Sequence, residues 1–141
     1  GVTTSLPTTQ NFTAGSNLIQ GTVVYVSGAL VFPASALSGI APFNYGAIGI
    51  TAGAAGVTSG VAVNLDDVAV VSAANITAES SLVPGEYYFL SKYTGQLTRY
   101  ATASGSITAS GTDQYQALVG LGKAFSTTEI EVEILPPTLL T

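Results

Sequence analysis

The feature that most constrains this chain is a series of short β-branched and aromatic runs, each cut off by turn-forming residues. LIQGTVVYV (18–26), ALVF (29–32), YGAIGIT (45–51), TSGVAVNL (58–65) and DVAVVS (67–72) are followed by YYFLS (87–91), QLTRYA (96–101), YQALVGLGKAF (115–125) and EIEVEIL (129–135). The breaks fall at SG (27–28), AG (52–53), PG (84–85), TG (94–95) and SG (104–105). Runs of this length and composition read as strands, and their even spacing reads as an all-β sandwich or barrel. Helical periodicity is nearly absent; PASALSGI (33–40) has room for one short turn. ATASGSITASGTD (101–113) is low in complexity and reads as an exposed loop.

The expected organisation is one domain, because 141 residues are enough for a single core. Residues 1–17, GVTTSLPTTQNFTAGSN, follow neither a helical nor a strand period and are expected to form an extended N-terminal arm. Residues 18–141 then form the β-domain, built from two related halves at about 18–72 and 82–135. The relation is an internal echo. VVYVSGALVFPAS (23–35) followed by AIGITAGAAG (47–56) matches YYFLSKYTGQLTRYATA (87–103) followed by LVGLGKAFSTTEIEVEI (118–134). Each half gives a strand ending in Ser, a tight turn, a second strand and an aliphatic–Gly–aliphatic strand. Gly49 and Gly120 fall at matching places, and glycine inside a strand marks a bulge or a close backbone approach.

Charge narrows the function classes. Charged residues make up 8% of the chain and hydrophobic ones 47%, against roughly 25% charged in typical soluble domains. A spanning helix needs about 20 apolar residues in succession, and Gly, Ser, Thr, Asn or Pro interrupts every apolar run, so no membrane span is expected. No basic start followed by an apolar core is visible, so no secretory signal is expected either. The apolar excess points to subunit contact, since obligate interfaces resemble a core cut in half. Three Lys and Arg against eight Asp and Glu give a net charge of −5, which leaves no means of neutralising nucleic-acid phosphates.

The segment 86–100, EYYFLSKYTGQLTRY, holds four of the seven tyrosines and two of the three basic residues. It reads as a hairpin with Gly95 at the turn position that requires positive φ. Alternation sets Glu86, Tyr88, Leu90 and Lys92 on one face and Tyr87, Phe89 and Ser91 on the other. Both faces are aromatic and are expected to be covered, and tyrosine suits a covered but partly wet contact. Lys92 and Arg99 flank the turn and could meet a neighbour's carboxylates. The expected interface residues are Leu6 and Phe12 of the arm, which could add a strand to a neighbour, and Tyr87, Tyr88, Phe89, Lys92, Tyr93, Arg99 and Tyr100 of the hairpin.

Catalytic chemistry is scarce. The chain has no His and no Cys, so the commonest general base, the thiolate nucleophile and the commonest transition-metal ligands are missing. No Ser–x–x–Lys pattern occurs, and GLGKAF (120–125) lacks the third glycine of a dinucleotide loop. Asp66 and Asp67, beside Asn64, could offer oxygen ligands to Ca²⁺, but adjacent residues on a strand point to opposite faces, so a turn is the favoured reading. Glu129, Glu131 and Glu133 share one face of a strand, as a solvated face, a blunted sheet edge or a cation site repeated around an oligomer axis. The sequons at Asn11 and Asn75 carry little information alone. No catalytic residue, cofactor or metal is assigned, and an enzyme is not expected.

LVPGEYYFLSKYTGQLT…VGLGKAFSTTEIEVEI resembles a small β-domain of tailed-phage virion proteins, including tail-fibre proteins. Leu82, Pro84, Gly85, Tyr87, Tyr88, Leu90, Ser91, Gly95, Leu97 and Thr98 carry the first part of the pattern. Gly120 or Gly122, Ala124, Ser126, Thr128, Glu129 and Ile130 carry the second. The upstream half, with an aliphatic strand ending in Val-Ser-Gly, is similar to the opening of phage capsid decoration (cement) proteins. The resemblance implies a compact, β-tulip-like barrel or sandwich in a virion protein, a homotrimer on the outer surface of the head. There it would stabilise the capsid by linking neighbouring major capsid proteins. The alternative is a tail-fibre or tail-spike domain for host-surface recognition, with an exposed aromatic groove; a cell-surface adhesin or pilin module is a third. The low charge departs from the family pattern.

Overall fold

The computed structural model describes residues 9–35, 46–66, 68–91, 93–99, 117–136 and 138–139. Its architecture is all-β. β1 (Thr9–Ala14), β2 (Val23–Ser27), β3 (Leu30–Pro33), β4 (Ala47–Thr51) and β5 (Gly60–Asn64) form a closed barrel in the order β1-β3-β2-β4-β5. β6 (Val68–Val70), β7 (Tyr87–Leu90), β8 (Leu97–Arg99), β10 (Gly120–Ala124) and β11 (Glu129–Val132) form a five-stranded sheet in the order β6-β11-β10-β7-β8. β9 (Ala117–Leu118) pairs with β12 (Thr138–Leu139). Among the described residues no helix is long and apolar enough to cross a membrane, and the only helical piece among them is a 3-10 turn at Ala73–Asn75.

The arm expected over 1–17 is corrected in its second half. Residues 9–14 are the strand that closes the barrel, antiparallel to β5 (Phe12 opposite Val61) and parallel to β3 (Ala14 opposite Val31). Weak local hydrophobicity hid this strand, because its partners lie far off in sequence. The boundary of the first half shifts as well: β6, assigned by sequence to 18–72, pairs with β11 in the second sheet. The low-complexity piece 101–113 lies outside the described residues, as do residues 36–40 of the short turn expected within 33–40; Pro33 ends β3.

The internal echo is structural. In the barrel β2 lies between β3 and β4; in the second sheet β7 lies in the same way between β8 and β10, antiparallel to both. Val31 O accepts from Gly15 N at 2.8 Å across the parallel β1–β3 contact. Its counterpart, Leu97 O, accepts from Thr77 N at 3.0 Å beside a parallel bridge between Ile76 and Leu97. The second sheet therefore follows the barrel's circular order, and the 3-10 turn interrupts the strand that would close it. The glycine register is corrected by two residues. Val24 faces Gly49 and Tyr88 faces Gly122, each next to a bulge, so Gly122 rather than Gly120 matches Gly49.

The core falls into two clusters, of which the larger is shared by the two halves. Ala14, Val24, Val31, Val61 and Val63 pack within the barrel with Leu18. The other face of β2, with Val23 and Tyr25, joins Ile50, Tyr88, Leu90, Leu97, Leu121, Ile130 and Val132 in a larger cluster. Each fully buried side chain of this size contributes about 1.5–3 kcal/mol relative to exposure. Polar contacts lock the junction. Val23 N donates to Gly95 O (3.1 Å), Gly95 N donates to Ala34 O (2.7 Å), and Asn75 Nδ2 donates to Gly21 O (2.9 Å) and Thr22 Oγ1 (3.2 Å). The buried Asn75 amide is thus a structural fastener and not a presented sequon.

Candidate interface on the second sheet

Alternation and register together build one solvent-facing surface. Val68 faces Glu131, Glu131 faces Lys123, and Lys123 faces Tyr87 across β6, β11, β10 and β7. One row further, Val70 faces Glu129, whose carbonyl accepts from Phe125 N at 3.2 Å. Directly opposed residues share a face of the sheet, and burial confirms the assignment. Ala69, Ile130, Val132, Ala124, Tyr88 and Leu90 point inward and are covered. Val68, Val70, Phe125 and Leu135 stay between 39% and 51% exposed, more than a strand side chain packed on a core would show. The face is a ridge of carboxylates (Glu129, Glu131, Glu133) flanked on one side by Val68 and Val70. On the other side stand Lys123, Phe125, and the half-buried pair Tyr87 and Phe89, whose ring centroids are 5.3 Å apart.

Tyr87 spreads over the bulge of β10. A Cβ built on Gly120 would lie 2.8 Å from Tyr87 Oη and 2.9 Å from Leu135 Cδ1, so only glycine lets the phenol and Leu135 come this close. The hydroxyl is buried and has no hydrogen-bond partner among the described residues. Burial, reinforced by the charge of Glu133, raises its pKa above the usual tyrosine value.

The expected interface residues divide. Tyr87 and Phe89 lie on this face. Tyr88 does not: it is fully buried, and its Oη accepts from Val83 N at 2.8 Å, so its place among interface residues is corrected to the core. The expectation counted both hairpin faces as covered by a partner, whereas the chain itself covers the inner one. Phe12 is half-buried against the barrel core. Arg99 is held within the chain, with Nε 3.1 Å from both carboxylate oxygens of Glu79, Nη2 3.0 Å from Glu79 and Nη1 3.5 Å from Glu86. The hydrogen bond to Glu79 raises the guanidinium pKa further. Tyr93 is exposed on the β7–β8 turn, and Leu6, Lys92 and Tyr100 lie outside the described residues. Gly95 has φ +76°, as the turn required.

Sequence reasoning missed Val68, Val70, Phe125 and Leu135. In VAVV (68–71) every position is small and apolar, so alternation gives no polarity contrast to say which valines face out; only the pairing with Glu129 and Glu131 does. The glutamate ridge alternates with buried Ile130 and Val132 as expected, but β11 lies between β6 and β10 and is no sheet edge. Among the described residues no group of three or more carboxylates is arranged to hold a metal ion. Asp66 is exposed in the bend after β5, and Asp67 lies outside the described residues. In comparisons with known proteins, no family model matches the chain and no curated protein sequence matches it.

Proposed function

We propose that this chain is a structural virion protein, a decoration or cement protein that sits as a homotrimer on the outer surface of a tailed-phage head. There it links neighbouring major capsid proteins. The observation that carries the reading is the outward face of the second sheet. It keeps Val68, Val70, Phe125 and Leu135 in solvent, in a chain with only 8% charged residues. Apolar side chains left exposed together on one face of a sheet mark a surface meant for another protein. Burying it contributes roughly 25 cal/mol per Å² before association costs, and repetition over a shell multiplies a modest contact. The acidic balance suits an outer surface better than one facing DNA.

The test is to mix the purified protein with undecorated heads of the virus that encodes it and follow co-sedimentation and the temperature of head rupture. Saturable binding with a raised rupture temperature is expected. Absence of binding to heads, together with binding to host envelopes, would replace this reading with the tail-fibre one. Deleting residues 1–14 is not a clean probe of an arm, because it removes β1 and opens the barrel.

A further inference from the structure

We infer that the solvent-facing surface of the second sheet docks a protein whose contacting surface carries Lys or Arg among apolar side chains. This names the partner chemistry of the site above, and it rests on that reading only in taking the face to be covered by another protein. The argument is charge complementarity on an apolar ground. The face presents three carboxylates, Glu129, Glu131 and Glu133, and one ammonium, Lys123, between the apolar flanks of Val68 and Val70 and of Phe125, Tyr87 and Phe89. Burying the flanks brings the glutamates into a medium where an unpaired charge is costly. A partner that covers the valines must therefore supply cations.

A second copy of the chain cannot supply them. The same face on another copy would set three more carboxylates against these, with only a single Lys123 from each copy to offset all six. The rest of the chain offers only two further basic residues out of three in total, and one of these, Arg99, is already shared by Glu79 and Glu86. Nucleic acid and anionic lipid are repelled by the same ridge. What remains is a foreign protein surface with basic side chains spaced to meet glutamates two residues apart on one strand. Charge pairing of this kind sets partner choice and register, while the apolar flanks supply area.

The experiment records amide chemical shifts of the isotope-labelled protein during titration with two synthetic strand peptides, one alternating Lys and Val and one alternating Glu and Val. The Lys peptide is expected to shift amides of 68–70, 123–125 and 129–133, and the Glu peptide to leave them in place. The triple variant Glu129→Gln, Glu131→Gln, Glu133→Gln should weaken Lys-peptide binding about tenfold or more. Raising NaCl from roughly 50 to 300 mM should weaken the wild type far more than the variant. The substituted side chains face solvent, and an unchanged spectrum away from β11 checks the fold. A second variant, Val70→Ser with Phe125→Ser, should weaken binding without abolishing its salt dependence. Shifts that map elsewhere, equal response to the two peptides, or undiminished binding by the triple Gln variant would each overturn the inference. Peptide shifts on this face with no binding to heads would sink the virion reading and leave the inference standing. Heads bound equally by wild type and the triple Gln variant would do the reverse.

Discussion

Tyr88 shows how one residue can be read correctly in type and wrongly in place. Its aromatic ring and polar tip suit an interface, and they equally suit a core position where the hydroxyl finds a backbone partner, which is what Val83 N provides. Burial raises its pKa more than that hydrogen bond lowers it, and Tyr87 shifts the same way. The consequence for stability has a definite sign. Unfolded tyrosines ionise near about 10, whereas the folded chain holds both phenols neutral to higher pH. The stabilisation from the neutral phenols is thus fully present below that range and is lost as pH rises through it, because the unfolded chain releases its protons first. Thermal melts between roughly pH 8 and 11 should show a flat lower part and a fall at the alkaline end. Tyr88→Phe should cost about 1 kcal/mol at neutral pH by leaving Val83 N–H without its acceptor. It should also make the alkaline fall shallower. An equally steep fall in the variant would show that Tyr88 is not one of the titrating groups.

At the scale of elements, strands and turns were legible and register was not. The runs at 23–27, 47–51, 87–90 and 129–132 announce themselves by alternation and flanking glycines, and each is a strand. The echo between halves was visible because both repeat a strand ending in Ser and a glycine-bearing strand. It was misaligned because GLG at 120–122 offers two glycines, and nothing local says which meets the tyrosine strand. Packing decides it. A Cβ on Gly122 would lie 2.0 Å from Glu131 O, at φ +152°, and one on Gly49 would lie 2.2 Å from Asn64 O. Both bulges press backbone against backbone, with no flexible side chain to yield. β1 stayed hidden for a related reason: TQNFTA has little hydrophobic contrast, and its strand character comes from a partner about fifty residues away, Phe12 opposite Val61. The outward valines of β6 were equally silent until pairing placed them beside glutamates. Gly122→Ala should therefore lower stability by at least about 3 kcal/mol. Gly53→Ala, where a Cβ meets nothing within 4 Å, should be nearly neutral. Urea midpoints at unchanged slope measure both, and a mild Gly122→Ala would mean that the bulge can relax.

For the whole molecule, the decisive fact is that the two barrel-like halves do not each keep a separate core. β2 faces both ways: Val24 fills the barrel while Val23 and Tyr25 join Tyr88, Leu90 and Ile130 in the larger cluster. The strand that would close the second half is interrupted at Ala73–Asn75, and Asn75 from that interruption bonds Gly21 and Thr22 of the first half. Opening either half would expose apolar surface of the other and strand buried polar groups at the junction, so neither is independent in energy although each repeats the other in topology. Heating should then give one cooperative transition, with calorimetric and van't Hoff enthalpies equal. Near-ultraviolet signals from the tyrosines, most of them in the second half, should disappear together with amide protection in β1 and β5 of the first. Two resolved transitions, or protection in the barrel that outlasts the tyrosine signal, would show instead that the halves fold as neighbours and that the shared cluster adds little. That outcome would also weaken the proposed docking face, since a sheet free to open by itself could not hold Val68, Glu131, Lys123 and Tyr87 in the fixed row that a cation-bearing partner would have to match.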